Sequence, residues 1–246
     1  VMTRIVIVGA TSAIAHAVAR EFASRGASLY LIARNEVRLR AVAEDLRARG
    51  ATRVDVMPLD VLAFERHAEV VESARKSLRQ PDAVLIAHGE LPDQTHVQNI
   101  PDAVVHSFRV NALSTIALAT AFGGLLEKAG RGSLTVLSSV AGDRGRASNY
   151  VYGAAKGAVD RYLEGLRARL APAGVRVVTI KPGPIDTPMT EHLTRGPLWS
   201  SPGRIAGPIR RAMMHRSGTI YVPWFWRPVM AVLRSLPEPI FRRLPL

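Results

Sequence analysis

The chain has 246 residues, a formal net charge of +13 at pH 7 and no cysteine. Its hydrophobic fraction of 48% argues against a disordered chain, and the lack of cysteine excludes disulfides and thiolate metal sites. The basic residues are spread along the chain without a nucleic-acid-binding motif, so we expect no nucleic-acid partner. A membrane surface, a phosphorylated ligand or a coding bias toward arginine accounts for the charge more simply.

Apolar strands alternate with helices along the whole chain. The predicted strands are 3–8, 28–33, 54–59, 83–87, 133–137, 175–180 and 219–222. The predicted helices are one that ends near residue 24, followed by 36–49, 63–78, 102–128 and 150–171. This alternation is typical of a parallel sheet covered on both faces. We therefore predict an α/β Rossmann fold with a doubly wound parallel sheet, as a single domain over 1–246. Residues 189–209 are expected to form an irregular lid and 223–246 a basic, aromatic tail.

Small residues follow the first predicted strand directly. The sequence there is Gly9-Ala10-Thr11-Ser12-Ala13-Ile14-Ala15. Backbone N–H groups at a tight turn and a helix N-terminus form a phosphate site, and the usual dinucleotide fingerprint has three glycines. Only Gly9 is present here, with alanine at the other two places. On this stretch alone, a phosphate site and an ordinary turn stay equally open.

Tyr152 and Lys156 lie four positions apart on a predicted helix and therefore share one face. A nearby ammonium moves the pKa of a tyrosine from roughly 10 toward neutrality. Ser139, thirteen positions before Tyr152, follows the fifth predicted strand and could hold a carbonyl or alcohol oxygen. Together these side chains predict proton transfer to or from a substrate oxygen. Taken alone, the pair is better explained as a solvated lysine beside a half-buried tyrosine.

Several candidate residues follow directly after predicted strands, whose carboxyl ends meet at one edge of a parallel sheet. In chain order these are the loop 9–15, Asp60, Ala87-His88-Gly89, Ser138-Ser139 and Lys181-Pro182-Gly183. The six histidines other than His88 show no metal-ligand spacing, so we predict no metal site.

In their order and spacing these pieces resemble the classical short-chain dehydrogenases/reductases over nearly the whole chain. The residues that carry the resemblance are Gly9–Ala15, Asp60-Val61, Asn111, Ser139, Tyr152, Lys156 and 182–187. It implies an NAD(P)H-dependent oxidoreductase in which Tyr152 is the general acid/base and Ser139 orients the substrate oxygen. It also implies that Lys156 binds the nicotinamide ribose and lowers the pKa of Tyr152, while Asn111 holds a relay water.

The same resemblance implies the cofactor contacts. These are Gly9, Thr11, Ser12, Ala13, Ile14, Arg34, Asp60, Val61, Ala87, His88, Gly89, Tyr152, Lys156, Pro182, Gly183, Ile185 and Thr187. The chain departs from the family at Ile86-Ala87-His88-Gly89, where Asn-Asn-Ala-Gly is usual. This change is expected to remove a side chain that braces the sheet and to place His88 near the cofactor.

Ala33 and Arg34 follow the second predicted strand, where an NAD-preferring protein often carries an acid. An arginine there can bind a 2′-phosphate through a charge-assisted fork. We therefore predict a preference for NADP(H), with Asp60 at the adenine edge and NAD(H) as the alternative cofactor.

A narrower resemblance involves 142–153 and the tail segments 229–237 and 241–246. Both are similar to the decaprenylphosphoryl 2-keto-pentose reductase branch of the family, which would use NADH. This implies reduction of a keto-sugar carried on a polyprenyl phosphate. The tail also joins apolar residues to arginines: Trp224, Phe225, Trp226, Val229, Met230, Val232 and Leu233, with Arg227, Arg234, Arg242 and Arg243. Such a segment predicts contact with an anionic membrane or a polyprenyl phosphate, and equally a contact between subunits.

Other functions stay open at this point. One is a soluble carbonyl or 3-oxoacyl-type reductase, and another is a non-catalytic module that senses a nucleotide. A sensor needs neither Tyr152 nor Ser139, so these residues favour the enzyme. We expect a small-molecule or lipid-linked carbonyl substrate and a homo-oligomer, either a dimer or a tetramer. The expected localisation is cytoplasmic, with peripheral contact at the inner face of the cell membrane, since no signal peptide or spanning helix is predicted.

Overall fold

Seven strands pair in parallel into one sheet in the computed structural model, which describes residues 3–244. Positions 1 and 2 of the predicted domain and 245 and 246 of the predicted tail lie outside the described residues. The strands are β1 Arg4–Val8, β2 Ser28–Ala33, β3 Arg53–Pro58, β4 Ala83–Ile86, β5 Gly132–Leu137, β6 Val175–Pro182 and β7 Gly218–Val222. Their order across the sheet is β3-β2-β1-β4-β5-β6-β7. The chain leaves one edge after β3 and returns at β4 beside β1, and such a reversal opens a crevice at the carboxyl ends of the strands.

The helices cover both faces of this sheet. They are α1 Ala13–Ala23, α2 Glu36–Ala48, α3 His67–Leu78, α4 Gln94–Val97, α5 Pro101–Phe108, α6 Ser114–Ala129, α7 Tyr150–Leu170, α8 Pro202–His215, α9 Trp226–Ser235 and α10 Glu238–Phe241. Along β1, Ile5 and Ile7 join the core under α1, α2 and α8, whereas Val6 and Val8 join the core under α3, α6 and α7. Alternation of side chains along a strand thus supplies both cores, and the predicted doubly wound α/β fold is confirmed.

The long predicted helix 102–128 is observed as 101–129, with a π-helical turn at Arg109–Leu113 between α5 and α6. By length and apolar composition alone this stretch could span a membrane, although half of its apolar window is buried in the protein. Leu118, Phe122 and Leu126 are fully buried in the core against the sheet. The stretch is therefore a core helix of this fold.

The predicted irregular lid over 189–209 is wrong from Pro202 onward, where α8 begins. Apolar residues of α8 at i, i+4 and i+7 face the core on α1, among them Ile205, Ile209 and Ala212. Proline at the first turn is compatible with a helix because its missing N–H has no helical partner there. Only the segment before Ser201 remains irregular, apart from a 3-10 turn at Pro188–Thr190.

The predicted tail is neither extended nor wholly exposed. Trp226 and Met230 of α9 are buried and pack with Val140, which directly follows Ser139. Trp224 and Val232 remain 77% and 60% exposed. We expected the seven apolar tail residues to form one exposed apolar surface. This is wrong for Trp226 and Met230, which belong to the core of the chain itself.

Candidate active site

Two connected cavities open at the crevice between β1 and β4. The larger has a volume of about 390 Å³ and is lined by the predicted cofactor residues Gly9, Thr11, Ser12, Ala13, Ile14, Arg34, Asp60, Val61, Ala87, His88, Gly89 and Thr187. The smaller, of about 180 Å³, is lined by Ser139, Tyr152, Lys156, Pro182, Gly183 and Ile185. A separate groove of about 510 Å³ beside β7 contains none of the predicted site residues. The structure thus places every predicted cofactor residue along one continuous cleft.

Gly9 sits where only glycine fits. Its φ is +77°, and a Cβ at this position would lie 2.5 Å from the backbone nitrogen of His88. Ser12 caps α1 without a side-chain hydrogen bond, and the first turn of α1 has no acidic residue. The N-terminal N–H groups of α1 are therefore not capped by a side chain. These features fit the diphosphate of a dinucleotide, despite the alanines in the loop.

The far end of the larger cavity carries two arginines. Arg34 follows β2, and Arg38 lies one turn further along on α2. The preceding residue, Ala33, ends β2 without an acid. Sequence reasoning missed Arg38, although the predicted helix 36–49 places it in the first helical turn after Arg34.

Tyr152, Lys156 and Ser139 surround the smaller cavity. The Lys156 Nζ lies 5.6 Å from the centroid of the Tyr152 ring and donates to the carbonyl of Leu137 at 3.2 Å. The Ser139 Oγ accepts from the backbone nitrogen of Ala141 at 3.1 Å, and the Ser139 hydroxyl lies close enough to the Tyr152 phenol to act to lower its pKa. A carbonyl oxygen in this cavity could therefore approach two hydroxyl groups at once.

Asn111 lies behind this group, in the π-helical turn, and lines neither cavity. Its Oδ1 accepts from the backbone nitrogen of Glu90 at 2.9 Å, and its Nδ2 donates to Ser107 Oγ at 3.2 Å. A Cβ at Gly89 would lie 2.9 Å from Asn111 Oδ1 and 3.5 Å from Lys156 Nζ. Because Gly89 has no side chain, Asn111 Oδ1 and Lys156 Nζ can both lie close to its backbone.

The expected lowering of the Tyr152 pKa is not observed. Burial raises the pKa of Tyr152 to about 12, the Ser139 hydrogen bond opposes this rise, and Asp160 adds to it. Burial also lowers the pKa of Lys156 to about 8, while Asp160 acts to raise it. The prediction took account of the lysine charge but not of the loss of water around the phenol. At neutral pH Tyr152 is therefore protonated, as a general acid must be.

His88 lies against Gly9, as predicted, but its ring is directed toward α6. The Nε2 lies 2.8 Å from Ser114 Oγ and 3.2 Å from Thr115 Oγ1. Burial, followed by the charge of Lys156, lowers the pKa of His88 to about 3, so the ring is neutral. The ring thereby ties the end of β4 to α6.

A buried ion cluster lies behind Lys156 and was not predicted. Lys181 Nζ contacts a carboxylate oxygen of Asp143 and lies 2.7 Å from Asp160 Oδ2. The Tyr221 hydroxyl donates to Asp143 Oδ2 at 2.9 Å. Asp160 continues the four-residue spacing of Tyr152 and Lys156 along α7, which was the available sequence signal. The cluster joins the catalytic helix to the ends of β6 and β7.

The comparisons with known proteins agree with this geometry. The short chain dehydrogenase family model matches residues 3–197. An uncharacterized oxidoreductase of Mycobacterium tuberculosis (strain ATCC 25618 / H37Rv) is 36% identical over 241 residues, which cover 98% of this chain and 96% of that protein. An uncharacterized oxidoreductase of Streptomyces coelicolor is 35% identical over 243 residues, with coverages of 98% and 95%.

A solved structure of similar fold is an alcohol dehydrogenase from the archaeon Thermococcus sibiricus, complexed with 5-hydroxy-NADP. It has a TM-score of 0.78 at 24% identity, over 90% of this chain and 96% of that one. The identities to the two oxidoreductases and the extent of the family match go beyond likeness of fold. The chain therefore belongs to the short-chain dehydrogenase/reductase family and is an oxidoreductase of that family.

Proposed function

We propose that the protein reduces a ketone to an alcohol with NADP(H), and that Tyr152 is the general acid. The observation that carries this proposal is the meeting of the Tyr152 and Ser139 hydroxyl groups at one cavity that opens into the dinucleotide cleft. A site that only sensed the nucleotide would not need a protonated phenol at that point.

The residues of this chain have separate roles in the proposed reaction. Ser139 and Tyr152 donate hydrogen bonds to the carbonyl oxygen and hold it in place. A bound reduced nicotinamide supplies the hydride to the carbonyl carbon. Tyr152 gives its proton to the oxygen as negative charge develops there. Lys156, beside the phenol, stabilises the phenolate that remains.

Arg34 and Arg38 support the NADP(H) preference, because both line the cleft at the end of β2, where no acid opposes a 2′-phosphate. The resemblance to the keto-pentose reductase branch suggests NADH instead. Comparison of kcat/KM for NADPH and NADH decides between the two.

For the substrate, we propose a keto-sugar or a similar hydroxylated ketone with an apolar extension. Met189 and Leu193 are 40% and 42% exposed although they line the cavity of Tyr152, and they offer an apolar surface at its mouth. A lipid carrier would fit this surface, and the exposed Trp224 of the tail would contact the membrane in which that lipid lies. A soluble carbonyl reductase acting on a small ketone remains the second candidate.

The test is nucleotide oxidation over a panel of free and lipid-linked ketones, with Tyr152→Phe beside the wild type. Loss of one acid/base group lowers the rate by roughly 10² to 10⁴. Nucleotide affinity should stay nearly unchanged, because the aromatic ring remains. Tyr150→Phe is the matched control, since Tyr150 is exposed two positions earlier on the same helix. Near-normal turnover by Tyr152→Phe would contradict the proposal.

A further inference from the structure

Arg146 is a cation in the wall of the smaller cavity, and no partner for it lies within residues 3–244. It lies between the 3-10 helix Val140–Asp143 and α7, and lines the cavity together with Ser139 and Tyr152. Its Nε is buried and has no hydrogen-bond partner among residues 3–244. Burial alone lowers the pKa of Arg146, so no carboxylate of the described chain is close enough to act on it. The guanidinium nevertheless remains charged.

A half-buried guanidinium without a counter-charge is unfavourable, because the charge has lost water and gained no partner. Arg144, only two positions earlier, shows the usual outcome. Its guanidinium donates to the carbonyls of Leu233 and Leu236 and to the carboxylate of Glu238. The contrast suggests that the partner of Arg146 is a bound ligand and not a residue within 3–244.

The surroundings of Arg146 also favour an anion. None of the residues that line the smaller cavity is Asp or Glu. Asn149, which caps α7, lines the same cavity and forms no side-chain cap bond, so its Nδ2 can donate to an anion there. The first turn of α7 contains no acidic residue, so the positive end of the helix dipole is not neutralised. A cation, a free amide and a helix N-terminus thus meet at one wall.

We propose that Arg146, with Asn149 and the N-terminus of α7, binds an anionic group of the carbonyl substrate, either a carboxylate or a phosphate. Both groups present paired oxygens that match the planar fork of a guanidinium. Arg146 is not among the residues of the larger cavity, so the phosphates of the cofactor are not its partner. The anion would fix the substrate at one end while Ser139 and Tyr152 hold the carbonyl oxygen.

This inference rests on the proposed ketone reduction, and its test is therefore a binding measurement that needs no turnover. Ketones are titrated by calorimetry into the complex of the enzyme with oxidised nucleotide, in which no hydride is available. The probes are two matched pairs: acetoacetate with methyl acetoacetate, and dihydroxyacetone phosphate with dihydroxyacetone. The first pair tests for a carboxylate and the second for a phosphate.

In the wild type, the anionic member of at least one pair should bind about tenfold more tightly than the neutral member, as expected for one charge-assisted hydrogen bond. Arg146→Met should remove this difference, and Arg146→Lys should keep part of it. Arg161→Met is the matched control: it removes an equal charge from an exposed position of α7 and should keep the full preference.

Equal binding within both pairs by the wild type, or failure of both anions to bind, would overturn the proposal. So would an unchanged preference in Arg146→Met. Folding is checked by circular dichroism, and Arg146→Gln replaces Arg146→Met if that variant does not fold. If Tyr152→Phe kept its turnover while the anion preference held, the catalytic role would fall and the anion site would stand.

Discussion

The guanidinium of Arg144 lies 3.8 Å from the centroid of the Phe241 ring and joins the loop between Ser139 and Tyr152 to α10, the last described helix. It also donates to the carbonyls of Leu233 and Leu236 at 2.5 and 2.6 Å, where α9 ends. The last carbonyl groups of a helix have no N–H donor within the helix. Here Arg144, from another part of the chain, donates to two carbonyls at the end of α9. Since Arg144 lies between Ser139 and Tyr152, the tail is tied to the loop that positions the reacting groups.

Arg144→Met should therefore weaken both the fold and the site. The carbonyls at the end of α9 would lose their donor, and the free energy of unfolding should fall by roughly 1–3 kcal/mol in denaturant titrations. The kcat/KM should fall as well, because Val140 loses its fixed support from Met230. Arg234→Met removes an exposed arginine of the same tail helix and serves as control. Equal stability of the two variants would show that the Arg144 contacts are unimportant.

Arg34→Ala should reduce the preference for NADP(H). A charge-assisted hydrogen bond to a phosphate contributes about 1.5–3 kcal/mol, so kcat/KM for NADPH should fall by roughly ten- to a hundredfold, while that for NADH changes little. Arg38→Ala should act in the same direction. Arg40→Ala is the control, because Arg40 of the same helix already pairs with Glu36. An NADH preference in the wild type would refute the predicted cofactor.

The sheet and the cleft could be predicted from sequence because most strands are apolar runs and several site residues, among them Ser139 and His88, closely follow a strand. Helix α8 was missed because Gly203, Gly207 and Pro208 hide a regular apolar spacing. The burial of Trp226 could not be predicted, since it depends on a partner far away in sequence. Its indole lies so close to Gly183 that a Cβ there would be 1.9 Å from Nε1. The burial of such a side chain is thus decided by contacts between distant segments, which a local sequence pattern does not reveal.

The pKa of Tyr152 illustrates the same limit. Sequence spacing places Lys156 beside the phenol, but it does not reveal how much water either group loses. Burial depends on the loops that close over the cavity, and here it raises the pKa of Tyr152 against the opposing effect of the Ser139 hydroxyl. The direction of the shift was therefore wrong although the pair was placed correctly.

Nucleotide affinity should fall as the pH rises through about 8, because Lys156 then loses its proton and its charge. Asp160 raises the pKa of Lys156, so Asp160→Asn should shift this fall to lower pH. Lys181 keeps Asp143 as its partner in the variant, so a neutral buried pair remains. Glu164→Gln, which removes an exposed carboxylate one turn further along α7, should leave the profile unchanged.

Lys156 should also make the free energy of unfolding depend on pH. Its pKa is lowered from 10.5 to about 8 in the folded protein, so the unfolded chain binds more protons between these values. The contribution of Lys156 to the free energy of unfolding should accordingly rise with pH across this window and be unfavourable below it. Denaturant titrations of wild type and Lys156→Met at several pH values measure it. If the difference in the free energy of unfolding between the two proteins does not vary with pH, the pKa of Lys156 is not lowered in the folded protein.

The proposed membrane contact can be tested without removing the tail. Truncation would also remove Trp226 and Met230, which pack against Val140, and would damage the site for a different reason. Trp224→Ser combined with Val232→Ser changes only exposed side chains. Burying an apolar side chain of this kind contributes roughly 1.5–3 kcal/mol, so the double variant should bind anionic liposomes at least about tenfold more weakly than the wild type.

Val37→Ser is the control for this measurement, because Val37 is 79% exposed on α2 and lies outside the tail. Liposome sedimentation at low salt gives the bound fraction, and circular dichroism confirms that each variant is folded. The tail arginines would add attraction to an anionic surface, so binding should also weaken as salt is added. If the wild type fails to sediment with anionic liposomes at low salt, Trp224 and Val232 do not form a membrane contact. The lipid-linked substrate would then lose its support, and the small-ketone reductase would be the better assignment.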